Sequence, residues 1–274
     1  MLFELPYNFN KDGQYFECLN KYKNMFKYIK FIYLPCFFSG PIQNTRLELT
    51  KNELPKTIEE WESHIERLKE TGIDICILIQ RYATIEMIEE LIEKYDIHIF
   101  TINDDELAKN LKSKYGDKIQ LNLSITRVLT YDDILNTDLS MYDNIVLFFY
   151  FNRHLNLIKK LPTKYNYSLI VNTHCLWNCK MHDKHWFDGA NFNGDLYCNT
   201  LKIKNRQLCM KNVGYIRPED LKFFERYLGS YKLEGREFSS QHIFSIFKTY
   251  LLKESTLNYD GFDEDNVDLN YNLN

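Results

Sequence analysis

The chain is 274 residues long, 45% hydrophobic and 26% charged, with a formal net charge of −4. That length suits one large domain or two small ones, and the apolar content is ample for a core. The negative balance leaves no global basic footprint, so attraction of the whole chain to nucleic acid or to an anionic membrane is not indicated.

The opening residues MLFELPYNFNKDG lack a basic leader followed by an apolar stretch, and the strongest apolar runs, at 73–79 and 145–151, are too short to span a bilayer. A soluble, cytoplasmic protein is expected. Thiols stay reduced in that compartment, so clustered cysteines point to metal or redox chemistry before disulfides.

In chain order, FELPY is a strand candidate, a helical pattern covers Tyr15 to Phe26, and the β-rich run KFIYLP ends at Pro35. A long connection closes at Thr57, whose spacing to Glu60 resembles a capping box, and the helix that follows carries Ile58, Trp61, Ile65 and Leu68 at helical spacing. From IDICILIQ onward strands and helical patterns alternate, with helices expected over 84–95, 104–115, 131–137 and 153–160. After a cysteine-rich interval, Arg217-Pro218-Glu219-Asp220 begins a helix with proline and acids in its first turn, and a last helix runs through Leu252.

Strands separated by helical segments imply parallel pairing. The strand candidates lie at 2–5, 29–34, 73–79, 97–102, 119–123, 144–149, 167–172 and 230–234. That count predicts an α/β fold, a (β/α)8 TIM-like barrel in a single domain over 1–254, with a long cysteine-rich insertion after the seventh strand. An open doubly wound sheet would also alternate, but no Gly-rich phosphate loop follows the first strand. The acidic, Asn-rich stretch 255–274 is expected to be a mobile tail.

In such a barrel, polar residues at the carboxyl ends of the strands converge on one mouth. Asn8, Cys36, Gln80, Arg81, Asn103, Ser124, Arg127, Asn152, Arg153, Asn172, His174, Glu234 and Arg236 occupy those positions, although loops are polar in any fold.

Four of the seven cysteines fall in one interval: Cys175, Cys179, Cys198 and Cys209. Thiolates favour soft or borderline metals, and four of them suit an iron–sulfur cluster or a tetrahedral zinc. Structural zinc sites favour paired short knuckles, and only the first pair here is close, so the dispersed spacing leans toward a cluster, 4Fe–4S in type. A compact zinc set of Cys175, Cys179, His182 and His185 is the alternative, and it leaves Cys198 and Cys209 idle. Without a metal these would be buried apolar cysteines, a reading that suits Cys18 and Cys76, while Cys36 stays open between core and mouth. His182 stands where a radical-SAM motif would need its third cysteine.

A nucleophilic pair of Cys175 with His174 or His185 is a further alternative. No Ser-centred elbow, P-loop, HExxH or DNA-binding motif is present.

Two late stretches, GYIRPEDLKFFERY at 214–227 and YKLEGRE at 231–237, resemble the collagenase-like peptidase family, the U32 peptidases. The resemblance covers about the C-terminal third. It implies a TIM-like barrel, a four-cysteine cluster and oxygen-independent, hydroxylation-type modification of a nucleic acid, a peptide or a small metabolite, together with an older association with proteolysis. The family's cysteine-and-serine signature with close glycines is absent, and the four cysteines are spaced differently. In a strand, Lys232, Glu234 and Arg236 share one face. Glu234 and Arg236 are therefore the candidate catalytic residues, binding substrate or orienting a ligand, or else a structural ion pair. A peptidase, and a noncatalytic zinc-stabilised module that binds a partner protein, are the competing functions.

Overall fold

The computed structural model describes residues 1–9, 13–36, 55, 57–79, 83–173, 175–177, 179, 213–236 and 238–254. The expected tail over 255–274 and the greater part of the cysteine-rich interval lie outside the described residues.

Among the described residues eight strands form: β1 Phe3–Pro6, β2 Ile29–Pro35, β3 Ile75–Leu78, β4 Ile99–Ile102, β5 Gln120–Leu123, β6 Asn144–Leu147, β7 Tyr167–Ile170 and β8 Ser230–Lys232. Each pairs in parallel with its sequence neighbour, and β8 returns to β1 to close the barrel. The TIM-like architecture read from the alternation is the observed one. Helices α1 Tyr15–Lys21, α2 Ile58–Lys69, α3 Ile85–Tyr95, α4 Asp105–Tyr115, α5 Tyr131–Asn136, α6 Leu155–Ile158 and α7 Ser240–Leu252 surround it.

Helix starts follow their capping residues. Thr57 accepts from the Glu60 amide, Asp104 from Leu107 and Ser239 from His242. At α5 the Thr130 side chain accepts from the Asp133 amide while the Asp133 carboxylate accepts from the Thr130 amide. Each cap satisfies an amide that the helix cannot, for about 1 kcal/mol.

Several elements differ from the sequence expectation, the first being the helix expected over Tyr15 to Phe26, which ends at Lys21 and gives way to a 3-10 turn over Lys23–Tyr28. The segment opened by Pro218 is a 3-10 turn, Pro218–Phe223, and another 3-10 turn, Phe149–Arg153, precedes a shorter α6. β8 stops at Lys232, and Gly235, three residues on, takes φ +125°.

The strands divide their residues by parity. Outward positions such as Leu5, Ile32, Ile77, Phe100, Leu121, Ile145 and Leu169 join one core with the helices, each contributing about 1.5–3 kcal/mol by leaving water. Inward positions are unusually polar: Glu4, Thr101, Asn122, Asn144, Ser168, Ser230 and Lys232 are all buried. Apolar lumen residues form two smaller groups, Phe31, Tyr33 and Cys76 on one side, and Val146, Ile170, Phe148, Phe149 and Ile125 on the other.

Candidate functional site

The mouth residues named from sequence take two kinds of position. Several tie loops to the barrel. Asn8 donates to the Phe238 carbonyl at 3.2 Å and to Ser240 Oγ at 3.0 Å, joining the end of β1 to the start of α7. Asn172 grips the backbone of Glu234 twice, donating to its carbonyl at 2.9 Å and accepting from its amide at 2.8 Å. Asn103 donates to Thr126, and Arg127 pairs with Asp105, which also accepts from the Tyr142 hydroxyl. Cys36 is buried in the core shared with the helices. Gln80, Arg81 and His174 lie outside the described residues.

The second kind surrounds Cys175. After β7 the chain runs through Thr173 to Cys179, and the segment that returns from the interval pairs back against it. Gly214 donates to the Cys175 carbonyl at 2.7 Å, Ile216 donates to Val171 at 2.8 Å, and Leu176 and Val213 form an antiparallel bridge. Asn152 donates to the carbonyls of Ile170 and Gly214, and the Tyr250 hydroxyl donates to those of Val171 and Ile216. The two ends of the cysteine-rich interval are thus held side by side. Gly214 has no room for a side chain, since a Cβ there would lie 2.9 Å from Thr173 Cγ2 and 3.2 Å from Phe149 Cβ.

Cys175 is half-buried against the apolar lumen group of Ile125, Val146, Phe148, Phe149 and Ile170, and Cys179 is half-buried against the main core. This surrounding suits a thiolate-held cluster, whose potential and access to solvent depend on the shell around the sulfurs. Cys198, Cys209, His182 and His185 lie outside the described residues, and among those described no three histidine, cysteine or acidic side chains gather into a metal-sized group.

An aromatic wall stands beside the cysteine turn. Tyr150 and His154 stack with centroids 3.8 Å apart, and Trp177, between Cys175 and Cys179, packs across them at 5.9 and 5.2 Å. His154 Nδ1 lies 2.8 Å from the Tyr150 carbonyl, which can only accept, so Nδ1 carries a proton. The sequence reading passed over His154; its i, i+4 spacing from Tyr150 just past β6 was the signal.

Lys232 and Glu234 differ in burial. Lys232 is buried in the lumen with its ammonium 3.9 Å from the centre of the Tyr33 ring, whereas Glu234 and Arg236 are half-buried at the rim. Gly235 between them serves a steric purpose, since a Cβ would overlap the Phe238 ring. Beside Tyr33 in the lumen, burial pushes the Cys76 thiol up to about 11, with Thr101 Oγ1 at 3.3 Å. That thiol stays protonated at neutral pH.

No protein-family model matches the chain. Over 159 residues, 53% of this chain and 46% of the relative, it is 31% identical to the uncharacterized protease MJ1657 of Methanocaldococcus jannaschii. The chain spans about half the length of the curated relative it matches. The solved structure of the U32 peptidase Mk0906 superposes with a TM-score of 0.49 at 12% identity, covering 76% of this chain and 85% of that one. The identity to a relative named as a protease stands beside the motifs at 214–227 and 231–237, which resemble those of the collagenase-like, U32 peptidases.

Proposed function

We propose that the chain is the barrel of an iron–sulfur enzyme that performs an oxygen-independent, hydroxylation-type modification of a nucleic acid, a peptide or a small metabolite. In this reading Cys175, Cys179, Cys198 and Cys209 hold the cluster, 4Fe–4S in type. Bound there, it would supply electrons or an open iron position for substrate. The supporting observation is the pairing of Val213–Ile216 against Val171–Leu176, which closes the base of the interval at the barrel mouth. Cysteines near both ends then need no long crossing to meet, and Cys209 is only four residues from Val213 in the chain. Glu234 and Arg236 stand at the same rim, where they would bind or orient substrate.

Anaerobic purification tests this reading. The protein should be brown, with broad absorption at roughly 400 nm, and should contain iron and acid-labile sulfide. Colourless protein with stoichiometric zinc, or with no metal, defeats it. Full metal retention in Cys198→Ala and Cys209→Ala would move the site to Cys175, Cys179, His182 and His185.

A peptidase is the second reading, favoured by the identity to a relative that carries a protease name. Peptide turnover abolished by a chelator, or by thiol alkylation of metal-free protein, would establish it over the first.

A further inference from the structure

The amino-terminal half of the lumen is lined by polar side chains whose hydrogen bonds do not balance. Glu4, Asn144, Ser168 and Ser230 are at most 1% exposed. Ser230 is fully used: its hydroxyl donates to Glu4 Oε1 at 2.7 Å and accepts from Lys30 Nζ at 3.1 Å. Ser168 faces Ser230 across the β7–β8 pairing, and its Oγ accepts from Asn144 Nδ2 at 3.0 Å. Asn144 Oδ1 is then a buried acceptor without a hydrogen-bond donor, Glu4 Oε2 has only the Lys232 ammonium, 3.7 Å away and beyond hydrogen-bond distance, and among the described residues the Ser168 hydroxyl proton has no acceptor. Leaving such groups bare costs stability, because each loses a bond that it makes to water in the unfolded chain.

We infer that this belt encloses bound water, at a site between Glu4, Ser168 and Asn144. The chemistry selects the occupant. Asn144 Oδ1 and Glu4 Oε2 require a donor, whereas the Ser168 hydroxyl requires an acceptor. A metal cation or an ammonium satisfies only the first pair, and an anion satisfies only the last. Water does both, and buried waters in folded proteins typically make about three such bonds. Reversing the Asn144 amide gives its oxygen the Ser168 proton but turns two N–H donors toward the same space, so the need for an outside partner remains. This inference concerns the lumen and is independent of any metal at the mouth.

A crystal structure of the whole chain, at a resolution that shows ordered solvent, tests it. The expected map has a spherical peak within about 3.2 Å of Asn144 and of Ser168 Oγ or Glu4 Oε2. Side chains bonded to one another with no peak between them overturn the inference, as does density that refines only as an ion or a larger molecule. In solution, magnetic relaxation dispersion of water nuclei should count at least one fewer long-lived water in Asn144→Leu/Ser168→Ala than in the parent. An unchanged count in a folded variant also overturns it, and if that variant does not fold, the parent's map decides alone.

Discussion

Glu4 and Lys232 meet inside the barrel at the seam where β8 closes onto β1, with Lys232 Nζ 3.7 Å from Glu4 Oε2. Both are buried, and their residues are register partners in a pairing that otherwise joins only Phe3 to Tyr231. Lys30 approaches the same carboxylate at 3.8 Å from a partly exposed position. Removing one member of a buried pair strands the other, at a cost of about 3–5 kcal/mol. Lys232→Met should fall near the lower end, because Lys30 still faces Glu4, and Glu4→Leu near the upper end, because it strands two ammonium groups. The double variant Glu4→Leu/Lys232→Met should be more stable than Glu4→Leu alone. Urea denaturation of the four proteins measures this, and strict additivity would show that the pair is not coupled.

Gly214 offers a test of the return strand that leaves the cysteines untouched. In Gly214→Ala the new methyl must push Thr173 or Phe149 aside, which costs about 1–3 kcal/mol and loosens the pairing beneath Cys175. The expected result is a folded barrel with reduced metal content after anaerobic reconstitution. Thr173→Ser removes the Cγ2 that the methyl would meet and keeps the hydroxyl that accepts from the Cys175 amide at 3.2 Å. The double variant should therefore recover stability and metal content together. Iron analysis alongside thermal melting separates this outcome from general unfolding.

These residues also mark how far the sequence could be read. The barrel was legible because its strands are short apolar runs divided by helices with caps such as Thr57 and Thr130, and parallel pairing follows from that order. The polar lumen was legible only in part. QLNL alternates polar and apolar residues while NIVL and YSLI each carry a single inward polar residue, but strands buried on both faces usually read as continuous apolar runs, so Asn122, Asn144 and Ser168 carried no label as lumen residues. The mouth was overcounted for a related reason. Position at a strand end does not tell whether an asparagine faces substrate or, like Asn8 and Asn172, spends its amide on a neighbouring loop. Arg236 was grouped with Lys232 by strand alternation, which the positive φ of Gly235 interrupts.

Thiol reactivity should divide the cysteines in the order of their surroundings. Cys18, Cys36 and Cys76 are buried, whereas Cys175 and Cys179 are half-exposed at the mouth. In metal-free native protein at mildly alkaline pH, Cys175 and Cys179 should alkylate on the order of tenfold or more faster than the buried three. Prior reconstitution with iron and sulfide should protect both. Peptide mapping by mass spectrometry reads each site separately, and equal labelling of Cys76 and Cys175 would contradict the burial described.

Cys76 should leave a signature in the alkaline stability of the protein. Burial raises its thiol to about 11 from an ordinary value of 9.0, although the nearby Lys232 ammonium and the Thr101 bond pull the other way. The unfolded chain therefore ionises first. The stabilisation tied to the neutral thiol is fully present below about pH 9 and is lost as pH rises toward 11, a fall of about 2–3 kcal/mol. Tyr142, Tyr167 and Tyr231 are also shifted upward by burial, and they weaken the fold as their unfolded counterparts ionise. The parent's curve alone cannot isolate the thiol. Cys76→Ala lacks it and keeps the tyrosines, so the difference between the two proteins gives the thiol's share. Measured by urea denaturation at several pH values, the parent's advantage over Cys76→Ala should be largest below pH 9 and should shrink by that amount by pH 11. A difference that stays constant across the range would mean that Cys76 is not shifted by its place in the lumen.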